Sequence, residues 1–475
     1  MRRSVTFRRM TAMTASAALI SACSGGGSGS VSGGGSGSSP TPTSSQCSLS
    51  ARQSWAADVL NEWYLFPETL PANLSPTPYT SVQDYIDALT ATARAQRKDR
   101  YFTYITSITE ENAYYNSGSS AGFGFRMSID TSANRVFVAE AFENTPALNA
   151  GIDRGTEILA IGDTTASMRT VSAIITAEGS AGISNALGPS TAGLSRALQI
   201  KDLSGATRTI TVTKADYELT PVSSRYGAKV IDDGGKKVGY INLRTFINTA
   251  ETPLRNAFAS FRAQGITEVI IDLRYNGGGL VSIADLMNNL LGGNRSTSQV
   301  ANYVTYRASK SSNNSTTYFA PQAQSIASTK IAFIGTGGTA SASELVMNTY
   351  VPYLGANAAL VGTNTYGKPV GQIAIDKSAC DDRLRVISFA LENASHQGAY
   401  YDGLAGFMGA TCRASDDVTQ PLGDPAEAST RAALDFLAGR SCTAISSITT
   451  QSAGRMLLVS PERPTTAQRE VPGLF

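Results

Sequence analysis

Histidine is almost missing from this chain: 475 residues contain one, His396. A hydrolase that activates serine through an imidazole would have to use that residue. Cysteine is also scarce, five in all, with no Cys-x-x-Cys pair and no Cys/His cluster, so no zinc or other metal site is expected. Neither sign of charge dominates: 39 Lys and Arg stand against 37 Asp and Glu, a net of +2. The one dense basic group, Arg2, Arg3, Arg8 and Arg9, lies at the start of the sequence. Without a basic tract elsewhere, nucleic acid is not an expected partner. After the first segment, no stretch is long and apolar enough to be a transmembrane helix.

What is present begins with a targeting pattern. The four arginines precede a short apolar run, Met10 to Ile20, too short to span a bilayer. Leu19-Ile20-Ser21-Ala22-Cys23 follows. Small residues before a cysteine resemble the bacterial lipobox, which implies a signal peptide over 1–22 and a lipid on Cys23. The alternative is an ordinary secretory signal in which Cys23 plays no part. Ser24 to Ser45 is almost wholly Gly, Ser, Thr and Pro, and such a composition cannot bury apolar surface. Residues 23–46 therefore read as a lipid anchor and flexible linker, placing the protein on the cell envelope. Ser24, rather than aspartate, after the cysteine points to the outer membrane of a two-membrane bacterium. The remaining cysteines are Cys47, Cys380, Cys412 and Cys442. An even number in an exported chain suggests two disulfides, with three pairings open. The favoured one joins Cys380 to Cys412, closing a loop, and Cys47 to Cys442, tying the ends of the folded region.

The texture of the chain then changes in steps. Over 47–118, Trp55, Val59, Leu60 and Trp63 keep a helical spacing, as do Val82, Tyr85, Ile86 and Leu89. Pro67, Pro71, Pro76 and Pro78 separate the two stretches. This reads as a small helical N-terminal domain. Residues 119–217 turn to short strands and glycine turns, including Arg135 to Ala139 and Thr207 to Thr213. Residues 218–445 alternate strand and helix patterns. Strands are expected at Val238 to Leu243, Glu268 to Leu273, Lys330 to Ile334, Ala358 to Val361 and Leu384 to Leu391. Helices are expected at Ala250 to Ala263, Leu280 to Leu291 and Ala426 to Leu437. Such alternation argues for an α/β layer with helices packed on a sheet. Residues 446–475 are left as a C-terminal tail.

Three pieces of the last domain carry chemistry. The first is Asp272-Leu273-Arg274-Tyr275-Asn276-Gly277-Gly278-Gly279, after a strand and before a helix. Its glycines let the chain turn with N–H groups pointing outward, though alone it reads as a plain turn. The second is Ser341 in Ser341-Ala342-Ser343-Glu344, which also matches the Ser-x-x-Glu capping box and could simply begin a helix. The third, Gly362 to Lys368, has the spacing Gly-x-x-x-x-Gly-Lys. Pro369 stands where a P-loop needs Ser or Thr, so nucleotide is not expected there. A lysine can activate a serine without any histidine, provided burial lowers its pKa from about 10.4. Lys368 has Tyr366, Pro369 and Val370 beside it and no adjacent carboxylate.

Together the three motifs, in this order, resemble peptidase family S41, the C-terminal processing or tail-specific proteases. The resemblance covers about residues 119–435. It implies a ClpP/crotonase-like α/β catalytic domain, with Ser341 as nucleophile, Lys368 as general base and Gln372 orienting the lysine. The oxyanion hole would be formed by the Ala342 N–H with an N–H of Gly278 or Gly279. Residues 119–217 resemble a bacterial PDZ domain. In that family a loop matching Gly122-Phe123-Gly124-Phe125 receives a peptide C-terminus, and the peptide adds as a strand to a sheet edge. No cofactor is implied. The expectation is an envelope serine endopeptidase that takes proteins or peptides with free C-termini, acting through an acyl-enzyme. The alternative is a lipoprotein on the same scaffold that binds peptides without cutting them.

Overall fold

The computed structural model describes residues 45–446 and 456–475. The expected signal peptide, Cys23 and nearly all of the expected linker lie outside the described residues. A six-stranded sheet organises the larger α/β part of the chain, in the order Lys229–Asp233, Lys236–Asn242, Glu268–Asp272, Lys330–Gly335, Ala358–Gly362 and Ala410–Arg413. The first pair is antiparallel and every later pair is parallel. Side chains alternate across a strand, and here both faces are covered. Ile241, Val269, Ile271, Ile331, Phe333 and Leu360 face one core. Their neighbours Tyr240, Ile270, Ala332, Ile334, Ala359 and Val361 face the other. This explains the uninterrupted apolar runs of these strands, as expected of a parallel sheet buried on both sides. Helices Glu251–Ala263, Val281–Leu291 and Ala342–Leu354 contribute to the first core. Helix Ala428–Leu437 contributes to the second.

A second sheet joins distant parts of the chain. The long strand Asp382–Glu392 pairs antiparallel with Tyr104–Ser107, with Val370–Lys377 and with Val300–Tyr306. The N-terminal segment forms helices Leu49–Trp63 and Val82–Leu89, the first capped by Ser48 and the second by Ser81. These helices share a core with Val370, Leu384, Val386 and Ile387. The segment is thus built onto the α/β part through a strand and a common core.

The β-rich unit carries strands Phe125–Asp130, Arg135–Ala141, Glu157–Gly162, Ser195–Lys201 and Thr207–Thr213, adjacent in that order. Its outermost strand comes from elsewhere: Met456–Leu458 pairs with Phe125–Asp130.

The disulfides correct the expected pairing. Cys47 joins Cys380 and Cys412 joins Cys442, with Cα separations of 5.5 and 5.4 Å. The reason is topological. Cys380 lies in the turn between two strands of the second sheet, beside the start of the N-terminal helix. Cys412 lies on the edge strand of the first sheet. The stretch after helix Ala428–Leu437 runs along that edge, with Arg413 N–H donating to Thr443 O at 2.6 Å, and so carries Cys442 to Cys412.

Candidate active site

The three motifs follow the ends of three adjacent parallel strands, Glu268–Asp272, Lys330–Gly335 and Ala358–Gly362. The crevice beyond the carboxyl ends of parallel strands is where α/β sheets place their sites. Hydrogen bonds join the first two loops: Ala340 N–H and Ser343 Oγ both donate to Asn276 O at 3.0 Å, and Thr339 Oγ1 donates to Leu273 O at 2.7 Å. Gly278, at φ 125°, faces Ser341 so closely that a Cβ there would stand 2.8 Å from Ser341 Cβ. Only glycine permits that approach and that φ.

Ser341 itself has φ 55° and ψ −117°. An ordinary N-cap residue is extended. A non-glycine residue held at positive φ stores about 1–3 kcal/mol and persists only where its surroundings enforce it. Capping alone does not explain this backbone. The enforcing group is Glu344, fully buried one helical turn on. Its Oε2 accepts from Ser341 N–H (3.0 Å) and Lys368 N–H (2.7 Å). Its Oε1 accepts from Thr365 Oγ1 (2.6 Å) and Gly367 N–H (2.7 Å). One carboxylate thus fastens the serine to the lysine segment. Burial pushes its carboxyl above the ordinary range, and the four donors pull it back. It also occupies the amides that a phosphate would need in a P-loop.

Lys368 Nζ donates to Gln372 Oε1 at 3.0 Å and, among the described residues, is not hydrogen-bonded to Ser341 Oγ. Gln372 in turn donates through Nε2 to Phe102 O, and the Phe102 ring lies 5.0 Å from Nζ. Desolvation lowers the Lys368 pKa below the ordinary lysine value. Glu470 opposes this by raising it and Arg469 adds to the lowering. Arg100 donates to Tyr366 O and Gly367 O at 2.7 and 2.6 Å, holding the loop before the lysine. Of the three amides named for an oxyanion, Gly278 N–H is engaged by Asn276 Oδ1 at 2.9 Å. Ala342 and Gly279 N–H have no acceptor among the described residues.

His396 stands apart. It is exposed, stacked on Tyr303 at 4.3 Å and paired with Glu392, and makes no contact with Ser341 or Lys368. Gly122 to Phe125 do not join the serine either; they surround Phe475. Arg100, Phe102, Arg469 and Glu470 were invisible to sequence reasoning. Glu344 did leave a signal, the Ser-x-x-Glu pattern. Arg274, within the first motif, is wholly buried between Asp272 and Glu427, at 2.8 and 2.9 Å. Asp272 Oδ1 also accepts from Arg274 N–H at 3.3 Å, which fixes the backbone leading into the glycine turn.

The α/β fold thus brings a strained serine and a buried lysine segment together beyond the ends of adjacent parallel strands, with His396 elsewhere. Residues 237–396 match the family model Peptidase family S41. The chain thus carries a domain of that family over those residues. It is 24% identical over 405 residues to a carboxyl-terminal-processing protease of Synechocystis sp., covering 82% of this chain and 84% of that protein. A protein of the same description from Picosynechococcus sp. is 30% identical over 166 residues, 35% of this chain and 37% of that protein. Among solved structures, a Bacteroides fragilis protein classed with the S41 proteases superposes with a TM-score of 0.61 at 23% identity, over 81% of this chain and 97% of that one. No helix among the described residues is long and apolar enough to cross a membrane.

Proposed function

We propose that the protein is a cell-envelope serine endopeptidase in which Lys368 activates Ser341. The observation that carries this reading is the Glu344 carboxylate, which binds the strained serine and the buried lysine segment to one point. Neutral Lys368 takes the Ser341 Oγ proton as Oγ attacks the scissile carbonyl carbon. The resulting oxyanion lies against Ala342 N–H and an N–H of the Gly278–Gly279 turn. The protonated lysine then gives its proton to the leaving amine, and the acyl-enzyme forms. Water, deprotonated by the same lysine, releases the acid and restores the serine. Gln372 orients the amine without adding charge. The β-rich unit acts as a PDZ-like domain that receives substrate C-termini at Gly122 to Phe125, and Cys23 carries a lipid that tethers the chain.

A second reading, binding without cleavage, is favoured by one observation: the Lys368 amine is directed to Gln372 and not to Ser341. Labelling with a fluorophosphonate probe separates the two. The parent chain labels and Ser341→Ala does not. A parent chain that fails to label across the pH range, while still binding peptide, supports the binding reading.

A further inference from the structure

The outer edge of strand Phe125–Asp130 is where a peptide would add, and it is already filled along its length by the chain itself. Gly124 N–H donates to Phe475 O at 2.9 Å and Phe475 N–H donates to Phe125 O at 3.0 Å. Met127 N–H donates to Gly473 O at 2.9 Å, and Arg126 forms an antiparallel bridge with Leu474. Beyond that point Val459 N–H donates to Met127 O at 3.1 Å, and Met456–Leu458 pairs on to Asp130. This is β-augmentation, the geometry by which sheets capture extended peptides. The side chain that would decide specificity is equally well seated. Phe475 is 1% exposed, within the core that holds Phe123, Phe125, Ile183 and Leu187. Gly122 admits it, since a Cβ there would stand 2.7 Å from Phe475 C.

The same segment reaches the catalytic residues. Gly277 N–H, in the glycine turn facing Ser341, donates to Glu470 O at 2.9 Å. The buried Glu470 carboxylate acts on Lys368, and Arg469 Nη1 donates to Tyr101 O at 3.1 Å. Helix Thr466–Glu470 and the strand-like residues after it therefore join the peptide edge, the glycine turn and the surroundings of the lysine. In this arrangement the lysine is not bonded to the serine.

We propose that residues 466–475 are a resident ligand of the edge groove, anchored by Phe475, and that a peptide with an aromatic or large apolar anchor displaces them to open the Ser341 site. The proposal rests on the peptidase reading for its consequence but not for its binding step. Displacement frees Gly277 and takes Glu470 away from Lys368, so occupancy of the groove and readiness of the site are coupled.

The binding step is tested in chains carrying Ser341→Ala, so that it is read whether or not the protein cleaves. The probe is a fluorescein-labelled decapeptide with the sequence of residues 466–475, made with a free and with an amidated end, followed by anisotropy. A groove filled by its own segment binds a competitor more weakly by the fraction left open. Phe475→Asp should therefore bind the probe about 10-fold or more tightly than the parent. Gly124→Val, whose side chain would collide with Thr145, should abolish binding in either background. Because Phe475 is buried, its replacement could unfold the unit. A specific protease site inserted within 447–455 and cut after folding provides the second route, with the same gain expected after the cut segment is removed. Equal affinity of the parent and a folded, vacated chain overturns the proposal, as does binding indifferent to Gly124→Val. A block that vanishes on dilution of the uncut parent overturns the assignment to the same chain and gives the segment to a second copy. With Ser341 intact, tight binding by the vacated chain with no cleavage would defeat the peptidase reading and leave the resident ligand standing.

Discussion

Glu344→Gln tests whether the site is held by one carboxylate. The substitution keeps size and shape but replaces one acceptor oxygen with a donor NH2 group. Whichever way the amide turns, two buried donors lose their acceptor: either Ser341 N–H and Lys368 N–H, or Thr365 Oγ1 and Gly367 N–H. Each unpaired buried donor costs about 1–3 kcal/mol, so the variant should lose roughly 2–6 kcal/mol of stability. The catalytic loss has a separate origin. Ser341 at φ 55° has no local reason to remain there once its N–H is released, and a misplacement of about 1 Å can cost on the order of 100-fold in rate. Stability is read from the urea midpoint by circular dichroism, and chemistry from kcat and KM on a peptide together with the fluorophosphonate labelling rate. The expected pattern is a lower midpoint, a large fall in kcat and in labelling, and a small change in KM. Glu392→Gln serves as control, because among the described residues the Glu392 side chain pairs only with exposed His396; a change within about 0.5 kcal/mol is expected there. If Glu344→Gln keeps both the midpoint and the labelling rate, the carboxylate is not what fastens serine to lysine.

Lys368→Ala and Lys368→Arg should both be inactive on peptide, since arginine stays protonated and cannot serve as base. Activity of the parent should rise with pH through an inflection below the free lysine value of about 10.4, because burial disfavours the ammonium and only the neutral amine accepts a proton. The charged groups acting on it are Glu470 and Asp99, which raise its pKa, and Arg469 and Arg385, which lower it. Glu470→Gln should therefore move the inflection to lower pH, and an inflection moved upward would contradict the assignment. His396→Ala should leave rate and pH profile unchanged; loss of activity in that variant alone would end the Ser-Lys mechanism. Non-reducing peptide mapping should recover Cys47–Cys380 and Cys412–Cys442 as the linked pairs. Cys23→Ser should release active protein from the membrane fraction, and a variant still held there by an apolar anchor would refute the lipid tether.

The sheet was legible because a parallel strand buried on both faces is an apolar run, and such runs stand plainly at 238–243, 268–273, 330–334 and 358–361. The three loops were legible because each is contiguous: a strand end, then a few residues whose types reflect what they must do. Gly278 is glycine because Ser341 stands against it, and Pro369 removed the P-loop reading before any geometry was known. Less legible were the ties between segments. Phe102 and Arg100 reach the lysine because Tyr104–Ser107 pairs with Asp382–Glu392, and a four-residue strand leaves little periodic trace. The disulfides failed for the same reason, since pairing follows from which sheet edge each cysteine occupies.

The last residues show the limit most sharply. Val471-Pro472-Gly473-Leu474-Phe475 has no period, and its proline and glycine suggest a loop. As sequence it reads as tail. Its structure is supplied by another strand: the free N–H and C=O groups of Phe125–Asp130 dictate an extended partner, and a pocket lined by Phe123 and Phe125 suits one large ring. A segment whose conformation is written in its binding site looks featureless alone, as a substrate peptide would. The resemblance is physical as well as formal. An unpaired strand edge over an apolar pocket attracts extended apolar chain, and a protein that keeps such an edge for capture must either leave it open or fill it. Here it is filled from the same chain, by a segment whose preceding residues include Glu470, which accepts from Gly277 N–H in the glycine turn facing Ser341. Selectivity would then come from competition. A peptide enters only if it outbinds a covalently tethered rival at high effective concentration, so short or weakly apolar segments are excluded before Ser341 meets them.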